Sequence, residues 1–160
     1  MNNAGKLTLN ELQEVIRDKL YESLPGFFWV VAEISEMKVN SSGHCYLELT
    51  GSEKPGGRVT SRARGTIWAA RFRSLNTFFT ATTGIPLRQG ITILFKATVE
   101  YHELYGLSLN ISDLDPSYTA GDMALRREAI IRRLTTEGLM KMNRDLDRAP
   151  YPRYIAVISS

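Results

Sequence analysis

Residues 29–50, WVVAEISEMKVNSSGHCYLELT, predict two β-strands joined by a polar turn. In the second strand His44 and Tyr46 alternate with apolar neighbours, and this period of two places them together on one face. The turn at 40–43, Asn-Ser-Ser-Gly, has the composition of a tight reversal. One face of the hairpin therefore packs on a core. The other is either an ordinary solvated surface or a platform for a ligand, and the pattern alone leaves both interpretations open.

Length and composition fit one globular domain, or one domain and part of a second. The chain has 160 residues, of which 43% are apolar, and this is enough for a packed core. It has no apolar run near the roughly 20 residues that span a bilayer, and its first residues lack the apolar segment of a secretion signal. We therefore expect no membrane association and a cytoplasmic location. A single cysteine, Cys45, excludes an internal disulfide and a multi-cysteine zinc site. We expect no metal and no cofactor.

Basic residues are concentrated in one part of the sequence. Between Lys54 and Val99 there are eight lysines and arginines and no acidic residue. Such segregation creates a local positive field, for which a polyanion is the natural partner. A solvated arginine-rich face is the alternative. Within this region the loop at 51–65 is either an added clamp for nucleic acid or a mobile hairpin.

The order of the predicted elements indicates the fold. Thr8 and Glu11 form a capping-box pattern before an amphipathic segment, which predicts a helix over about 8–22. Two strands, a third strand, a short helix and two further strands follow, at residues 29–36, 44–50, 59–70, 71–80, 91–100 and 105–113. The predicted fold class is mainly β, a five-stranded OB-fold barrel with an N-terminal helix, and its binding face lies on strands two and three. Trp29 is expected in the barrel core.

The rest of the sequence predicts a C-terminal helix and an incomplete second domain. Asp122 can cap a helix over 123–139. A linker with two prolines at 149–152 then precedes an apolar strand at 154–158, of the type that is buried in parallel sheets. We therefore expect a barrel domain with its N-terminal helix, then a helix with a linker, then the first strand of a truncated next domain, at residues 1–117, 118–149 and 150–160.

Several short motifs occur in an order that resembles one known family. They are an N-terminal amphipathic helix, Trp29 with Glu33-Ile34-Ser35, Gly43-His44 followed by Tyr46, Ile67-Trp68, Tyr101 to Gly106, Asp115-Pro116, Glu137-Gly138-Leu139 and Ile158-Ser159-Ser160. Together, from about residue 7 to the end, they resemble the N-terminal part of the exodeoxyribonuclease VII large subunit.

This resemblance implies a domain that binds single-stranded DNA for a nuclease. The full-length enzyme would be a hydrolase that degrades single-stranded DNA to oligonucleotides, in complex with a small subunit that binds regions beyond residue 160. Its catalytic residues would also lie beyond residue 160, so the resemblance implies no catalytic residue in this chain and no activity of this piece alone. The alternative is a stand-alone OB-fold module that binds RNA, tRNA or a protein partner.

Aromatic and basic residues on the expected binding face are the candidate DNA contacts. Trp68 is the first choice for stacking on a base, and a core position is the alternative. The family tends to place an arginine directly after this aromatic. Here Ala69 follows Trp68, so Arg71 or Arg73 would supply the charge. The candidates are Trp68, His44, Tyr46, Arg71, Arg73, Arg64, Arg62, Lys38, Tyr101, His102 and Tyr105.

Overall fold

A five-stranded β-barrel occupies residues 28–115. The computed structural model describes residues 6–53, 57–142 and 156. Within these residues the helices are α1 (Leu9–Ser23), α2 (Ala69–Thr83) and α3 (Pro116–Thr136), followed by a short 3-10 turn at Leu139–Lys141. The strands are β1 (Phe28–Val39), β2 (Cys45–Ser52), β3 (Val59–Ile67), β4 (Thr92–His102) and β5 (Gly106–Asp115).

The strand order confirms the predicted OB-fold barrel. The strands are arranged β1-β2-β3-β5-β4, and β4 pairs with β1 to close the barrel. Among the described strands, β3 and β5 pair in parallel over Arg64 to Thr66, and the other pairs are antiparallel. With α2 between β3 and β4, this is the order of an OB-fold. The structure is mainly β, with one helix before the barrel and another after it.

Apolar residues that alternate along each strand fill the barrel. On β2, Cys45, Leu47 and Leu49 are buried, as the alternation predicted. Helix α2 adds Leu75 and Phe79 to the same core. Among the residues that the structure describes, the buried apolar ones are Ile34, Cys45, Leu47, Leu49, Ile67, Leu75, Phe79, Leu87, Ile91, Ile93, Phe95, Ala97, Ile111 and Leu114. The polar and aromatic residues between them are therefore left for the outer surface.

β1 contains a β-bulge at Ser35. Ile34 is opposite Leu49 and Glu36 is opposite Glu48, so Ser35 is an extra residue between two consecutive pairs. The Ser35 hydroxyl donates a hydrogen bond to the carbonyl of Glu48 at 3.0 Å. The side chain of the extra residue therefore fastens the bulge to the neighbouring strand.

The bulge reverses the alternation along β1. Before it, Ile34 is buried in the core, whereas after it Met37 packs against the core. Glu36 and Lys38 are consequently exposed on the outer face. Uninterrupted alternation would have placed both on the same side as Ile34, so the bulge decides which face these two charges occupy.

Trp29 is half exposed, and the prediction that it lies in the core is wrong. Its neighbours Val30 and Ala32 pack against the core. In a strand, the residues between two inward-facing positions face outward. The alternation of β1 therefore turns Trp29 outward, although large aromatic side chains are commonly buried.

Helix α1 begins at Leu9, as predicted from the capping box. The Thr8 hydroxyl accepts a hydrogen bond from the amide of Glu11 at 3.3 Å, and the Glu11 carboxylate accepts one from the amide of Thr8 at 2.7 Å. Both bonds of the motif are therefore present.

Side chains on α1 contact the end of the β4–β5 hairpin. The Tyr101 hydroxyl donates a hydrogen bond to Gln13, and Arg17 donates one to the Glu103 carboxylate at 2.7 Å. A hydrogen bond from its own backbone amide, together with the Arg17 guanidinium, holds the pKa of Glu103 below its ordinary value. The helix therefore supports the hairpin from the side of Tyr101.

Helix α3 begins at Pro116, well before the predicted start at 123. The Asp115 carboxylate accepts a hydrogen bond from the amide of Ser117 at 2.9 Å. Asp115 therefore acts as the cap, and Pro116 occupies the first helical turn, where its missing N–H is not needed. The prediction that Asp122 caps this helix is wrong, because the helix is already formed when the chain reaches it.

The chain divides into two compact units, one up to Asp122 and the other from Met123. The domain limits at 117 and 150 stay a prediction. Apart from Ala156, the linker at 149–152 and the strand at 154–158 lie outside the described residues. Among the helices that the structure describes, none is long and apolar enough to cross a membrane.

The buried face of α2 can be tested with two adjacent phenylalanines. Phe79 is fully buried, whereas more than half of the neighbouring Phe78 is exposed. We expect Phe79→Ala to lower the free energy of unfolding by about 3–5 kcal/mol, because it leaves a cavity in the core. Phe78→Ala should change it by less than about 0.5 kcal/mol. Urea unfolding of the two variants measures both values, and equal effects would contradict the described orientation of α2.

Candidate nucleic-acid interface

A groove of about 670 Å³ lies on the outer surface of β1, β2 and β3, beside the tip of the β4–β5 hairpin. It coincides with the face on which OB-folds bind oligonucleotides. Its lining combines aromatic, basic, acidic and small polar side chains: Glu36, Lys38, Tyr46, Leu47, Glu48, Arg64, Gly65, Thr66, Trp68, Tyr105 and Ser108. The predicted strand two and three surface is therefore a real concavity.

The strand register sets one row of side chains across this groove. Tyr46 on β2 is opposite Lys38 on β1 and Thr66 on β3. Since paired residues on neighbouring strands project from the same face, an aromatic ring, an ammonium group and a hydroxyl lie side by side. Tyr46 and Lys38 were predicted contacts, and their position on the groove depends on the alternation of β2 and on the bulge in β1.

A second row carries opposite charges. Glu48 on β2 is opposite Glu36 on β1 and Arg64 on β3. Two carboxylates directly opposite each other destabilise a strand pair. In residues 6–53 and 57–142, neither carboxylate takes part in an ion pair. Arg64 instead donates a hydrogen bond through Nη2 to the carbonyl of Tyr105 at 3.1 Å. The groove thus has acidic groups within its lining.

Trp68 lies at the junction of β3 and α2. β3 ends at Ile67 and α2 begins at Ala69, so the predicted strand at 59–70 and helix at 71–80 both had the wrong boundary. Trp68 is the residue that precedes the first turn of α2, and its backbone is extended. Its side chain is 47% exposed and lines the groove, which excludes the alternative of a core tryptophan.

His44 contacts Trp68 but is not among the residues that line the groove. The two rings are edge to face, with centroids 4.9 Å apart and planes at 87°. The Nδ1 atom of His44 accepts a hydrogen bond from the amide of Ala69 at 3.1 Å. One of the two ring nitrogen atoms of His44 is therefore hydrogen-bonded to the start of α2.

The tip of the β4–β5 hairpin contributes Tyr105 to the groove. Tyr105 is 67% exposed, and the His102 ring lies 4.7 Å from it between centroids. His102 Nδ1 accepts a hydrogen bond from the amide of Leu104 at 3.1 Å. His102 therefore supports the hairpin tip beside the groove and does not line it.

Six of the eleven candidate residues do not line the groove: His44 and His102, described above, and Tyr101, Arg62, Arg71 and Arg73. Tyr101 does not line the groove, because its hydroxyl is bonded to Gln13 of α1. Arg62 is exposed on β3 beyond Arg64, and Arg71 and Arg73 are exposed in the first turns of α2. The groove brings together the remaining five that line it, Lys38, Tyr46, Arg64, Trp68 and Tyr105. The role of each candidate in binding stays a prediction.

Four further residues that line the groove were not among the predicted contacts: Glu36, Glu48, Thr66 and Ser108. Thr66 follows from Arg64, because residues two apart on a strand share a face. Ser108 follows only from the parallel pairing of β5 with β3, which places it opposite Arg64. No sequence pattern reveals that pairing in advance. In the part of the chain that the structure describes, no group of three or more histidine, cysteine or acidic side chains is placed to hold a metal ion.

The barrel and its groove define a nucleic-acid-binding class: the chain belongs to the OB-fold nucleic acid binding domain family, whose model matches residues 7–115. It is also similar to the exodeoxyribonuclease 7 large subunits. The protein of that name from Deinococcus radiodurans is 38% identical over 143 residues, which are 86% of this chain and 34% of that protein. One from Xanthomonas oryzae pv. oryzae is 31% identical over 160 residues, 99% of this chain and 32% of that protein.

The chain therefore spans about a third of the length of these curated relatives. Among solved structures, a mitochondrial single-stranded DNA binding protein from S. cerevisiae matches 56% of this chain and 92% of its own. The sequence identity is 17% and the TM-score is 0.41.

The alternation that turns Tyr46 toward the groove can be tested through its neighbour. Burial raises the pKa of the Cys45 thiol to about 11, so near pH 8 only about one thiol in a thousand is ionised. A thiol reagent should therefore modify native Cys45 slowly and denatured Cys45 fast. In a Cys45→Ala, Tyr46→Cys variant the exposed thiol should react at least about a hundredfold faster. Equal rates in the two native proteins would contradict the described phase of β2.

Proposed function

We propose that this chain binds single-stranded DNA in the groove between β1, β2, β3 and the β4–β5 hairpin. The observation that carries the proposal is the presence of three exposed aromatic rings, Tyr46, Trp68 and Tyr105, around one groove. The same groove holds the cationic side chains Lys38 and Arg64. Proteins that bind single-stranded nucleic acids combine aromatic rings, which stack on the bases, with cationic groups, which attract the backbone.

Aromatic rings favour a single strand over a duplex. Bases in a duplex stack on one another, whereas unpaired bases have faces free to stack on protein rings. Tyr46 is 44% exposed and sits on β2, a strand that is paired on both edges, so its backbone position is set by the barrel. Such stacking tolerates any base, because every base has a π-face. We therefore expect little sequence preference from the rings themselves.

The carboxylates suggest how the strand lies. Glu36 and Glu48 repel phosphate groups, while Lys38 and Arg64 attract them. We propose that the phosphates follow the two cations and that base edges pass over the carboxylates. Amino groups of bases can donate hydrogen bonds to carboxylate oxygens. This arrangement leaves the acidic groups satisfied without an arginine partner.

The similarity to exodeoxyribonuclease 7 large subunits supports a wider proposal. We propose that the chain is the DNA-holding part of such an enzyme, which hydrolyses single-stranded DNA in the cytoplasm together with a small subunit. The relatives are about three times as long as the chain. We therefore propose that this chain alone binds DNA without cleaving it, and that catalysis and the small-subunit contact use other parts of the longer proteins.

Titration of a fluorescently labelled DNA oligonucleotide tests the binding proposal. If two cations contact phosphate, the logarithm of affinity should fall with the logarithm of salt with a slope of about −1.4. Raising the salt from about 50 to about 200 mM should then weaken binding about sevenfold. The same titration with an RNA strand of equal sequence and with a duplex provides the comparison. Absence of binding to the DNA strand at low salt would refute the proposal, and tighter binding to RNA would favour an RNA-binding module.

Two exposed tryptophans provide a matched test of stacking. Trp68 lines the groove, whereas Trp29 is equally exposed on β1 but does not line it. Trp68→Ala should weaken DNA binding by about 1–3 kcal/mol, roughly 5- to 150-fold. Trp29→Ala should leave affinity within about twofold. If Trp68→Ala kept full affinity and lowered the unfolding temperature instead, Trp68 would be a structural residue.

A further inference from the structure

We infer that His44 is a positioning residue: its Nδ1 atom caps helix α2 and thereby holds Trp68 in the groove, and it does not contact DNA. The part of this inference that concerns DNA binding rests on the proposed function. The bond itself, from the Ala69 amide to His44 Nδ1 at 3.1 Å, is independent of that function. Through this bond His44, which was predicted to contact DNA, has a positioning role instead.

Helix α2 lacks the usual features of a helix start. Trp68 occupies the capping position and offers no side-chain acceptor, and the first turn contains no acidic residue. The first turn carries Arg71 instead, whose charge is unfavourable beside the positive end of a helix. The first backbone amides of a helix need external acceptors. His44 supplies one from a neighbouring strand, in place of the local Ser, Thr, Asp or Asn.

The β1–β2 turn is built to deliver this ring. The Asn40 side-chain carbonyl accepts a hydrogen bond from the His44 amide at 2.9 Å, and the Asn40 amide donates one to the His44 carbonyl at 3.0 Å. Gly43 has a positive φ of 83°, and a Cβ atom there would lie 3.2 Å from the Cβ atom of Ala69. The turn can therefore approach the start of α2 closely only with glycine at this position.

The cap and the stacking residue are mechanically connected. Trp68 is the single residue between β3 and α2, so its backbone is fixed on one side by the barrel and on the other by the first turn of the helix. The edge-to-face contact of the His44 and Trp68 rings adds a direct restraint. If the first turn of α2 loosened, Trp68 would adopt its stacking orientation for a smaller fraction of time. The apparent affinity falls in proportion to that fraction.

The cap requires neutral His44. Because Nδ1 accepts from an N–H, the ring proton must be on Nε2, and protonation would turn the acceptor into a second donor facing the amide. The elements that meet here carry both signs of charge. The cationic residues are Lys38 on β1, Arg62 and Arg64 on β3, and Arg71 and Arg73 on α2, and the acidic ones are Glu33 and Glu36 on β1 and Glu48 on β2. In sequence the nearest titratable neighbours are Cys45, whose thiol is buried, and then Tyr46 on β2. A capping role and a phosphate-binding role therefore predict opposite responses to acid.

Two substitutions at position 44 distinguish the contribution of the aromatic ring from that of the hydrogen-bond acceptor. His44→Asn keeps an oxygen near the position of Nδ1 but loses the ring, whereas His44→Phe keeps a ring without an acceptor. Both are made in the full chain with Trp29→Phe and His102→Asn, so that Trp68 is the only tryptophan and His44 the only histidine. Asparagine at 102 can still accept the amide of Leu104. The background protein without a change at 44 is the control.

We expect His44→Asn to bind a DNA oligonucleotide within about twofold of the control and His44→Phe to bind about fivefold more weakly, the effect of one lost hydrogen bond. Acidification from about pH 8 to about pH 6 should weaken binding by the control and not by His44→Asn. Weak binding by His44→Asn with full binding by His44→Phe would overturn the inference. So would an affinity of the control that rises as the pH falls, which is the response of a histidine that contacts phosphate.

Tryptophan emission of the free proteins decides the question without DNA. The emission maximum and anisotropy of Trp68 should change in His44→Phe and stay the same in His44→Asn. An unchanged Trp68 signal in His44→Phe would overturn the inference even if DNA binds. If the control does not bind DNA, the proposed function fails, while this signal still reports on the cap. Should His44→Phe fail to fold by circular dichroism, the pH response of Trp68 emission in the control, compared with His44→Asn, gives the same decision.

Discussion

The groove depends on the parallel pairing of β3 with β5, which extends over Arg64 to Thr66. Two parallel strands that pair with each other need a long connection, and here α2 and β4 form it. The pairing therefore fixes where the chain leaves β3 and where it enters β5. At Gly65 the pairing leaves no room for a side chain, because a Cβ atom would lie 3.0 Å from methyl carbons of Leu49 and Ile111. The core thus reaches directly beneath the groove. On the outer side the same pairing brings the β4–β5 hairpin to Arg64, which bonds the Tyr105 carbonyl. The short parallel pairing of β3 with β5 is therefore needed for both the barrel and the groove.

The groove departs from the rules that stabilise ordinary sheet surfaces. Three exposed aromatic rings, a pair of opposed carboxylates and a helix start without a local side-chain cap all lie in or beside it. Each is locally unfavourable in the unliganded protein, and such departures are expected to gather where a protein acts. The core beneath is regular by comparison, with alternation kept along β2 and β4. The barrel supplies the stability that the groove lacks.

Elements with strong periodicity could be predicted from the sequence, and features that depend on contacts distant in sequence could not. The capping box of α1, the phase of β2 and the five-strand order are local patterns, and the structure agrees with them. The bulge at Ser35 leaves no clear mark in the sequence, so alternation alone could not predict the outward position of Glu36. Trp29 was misplaced for another reason, because its large aromatic side chain favoured a core position over the outward phase of the strand. The start of α3 was missed although Asp115-Pro116 is a recognisable helix start, because the apolar pattern further on drew the boundary to Asp122. The role of His44 at α2 could not be predicted, since it joins residues 25 positions apart.

The bulge in β1 has a consequence for how the two ends of this strand can change. Residues 28–33 pair with β4, residues 33–34 and 36–39 pair with β2, and Ser35 separates the two phases of the strand. If Ser35 were kept but paired regularly, Lys38 would turn into the barrel and Met37 out of it, whereas deleting Ser35 together with the bulge would keep Met37 inward and Lys38 outward. Substitutions within either half carry no such effect. The strand therefore has two halves of different phase, and outward-facing residues of the groove half can be substituted without changing the phase of the half that pairs with β4.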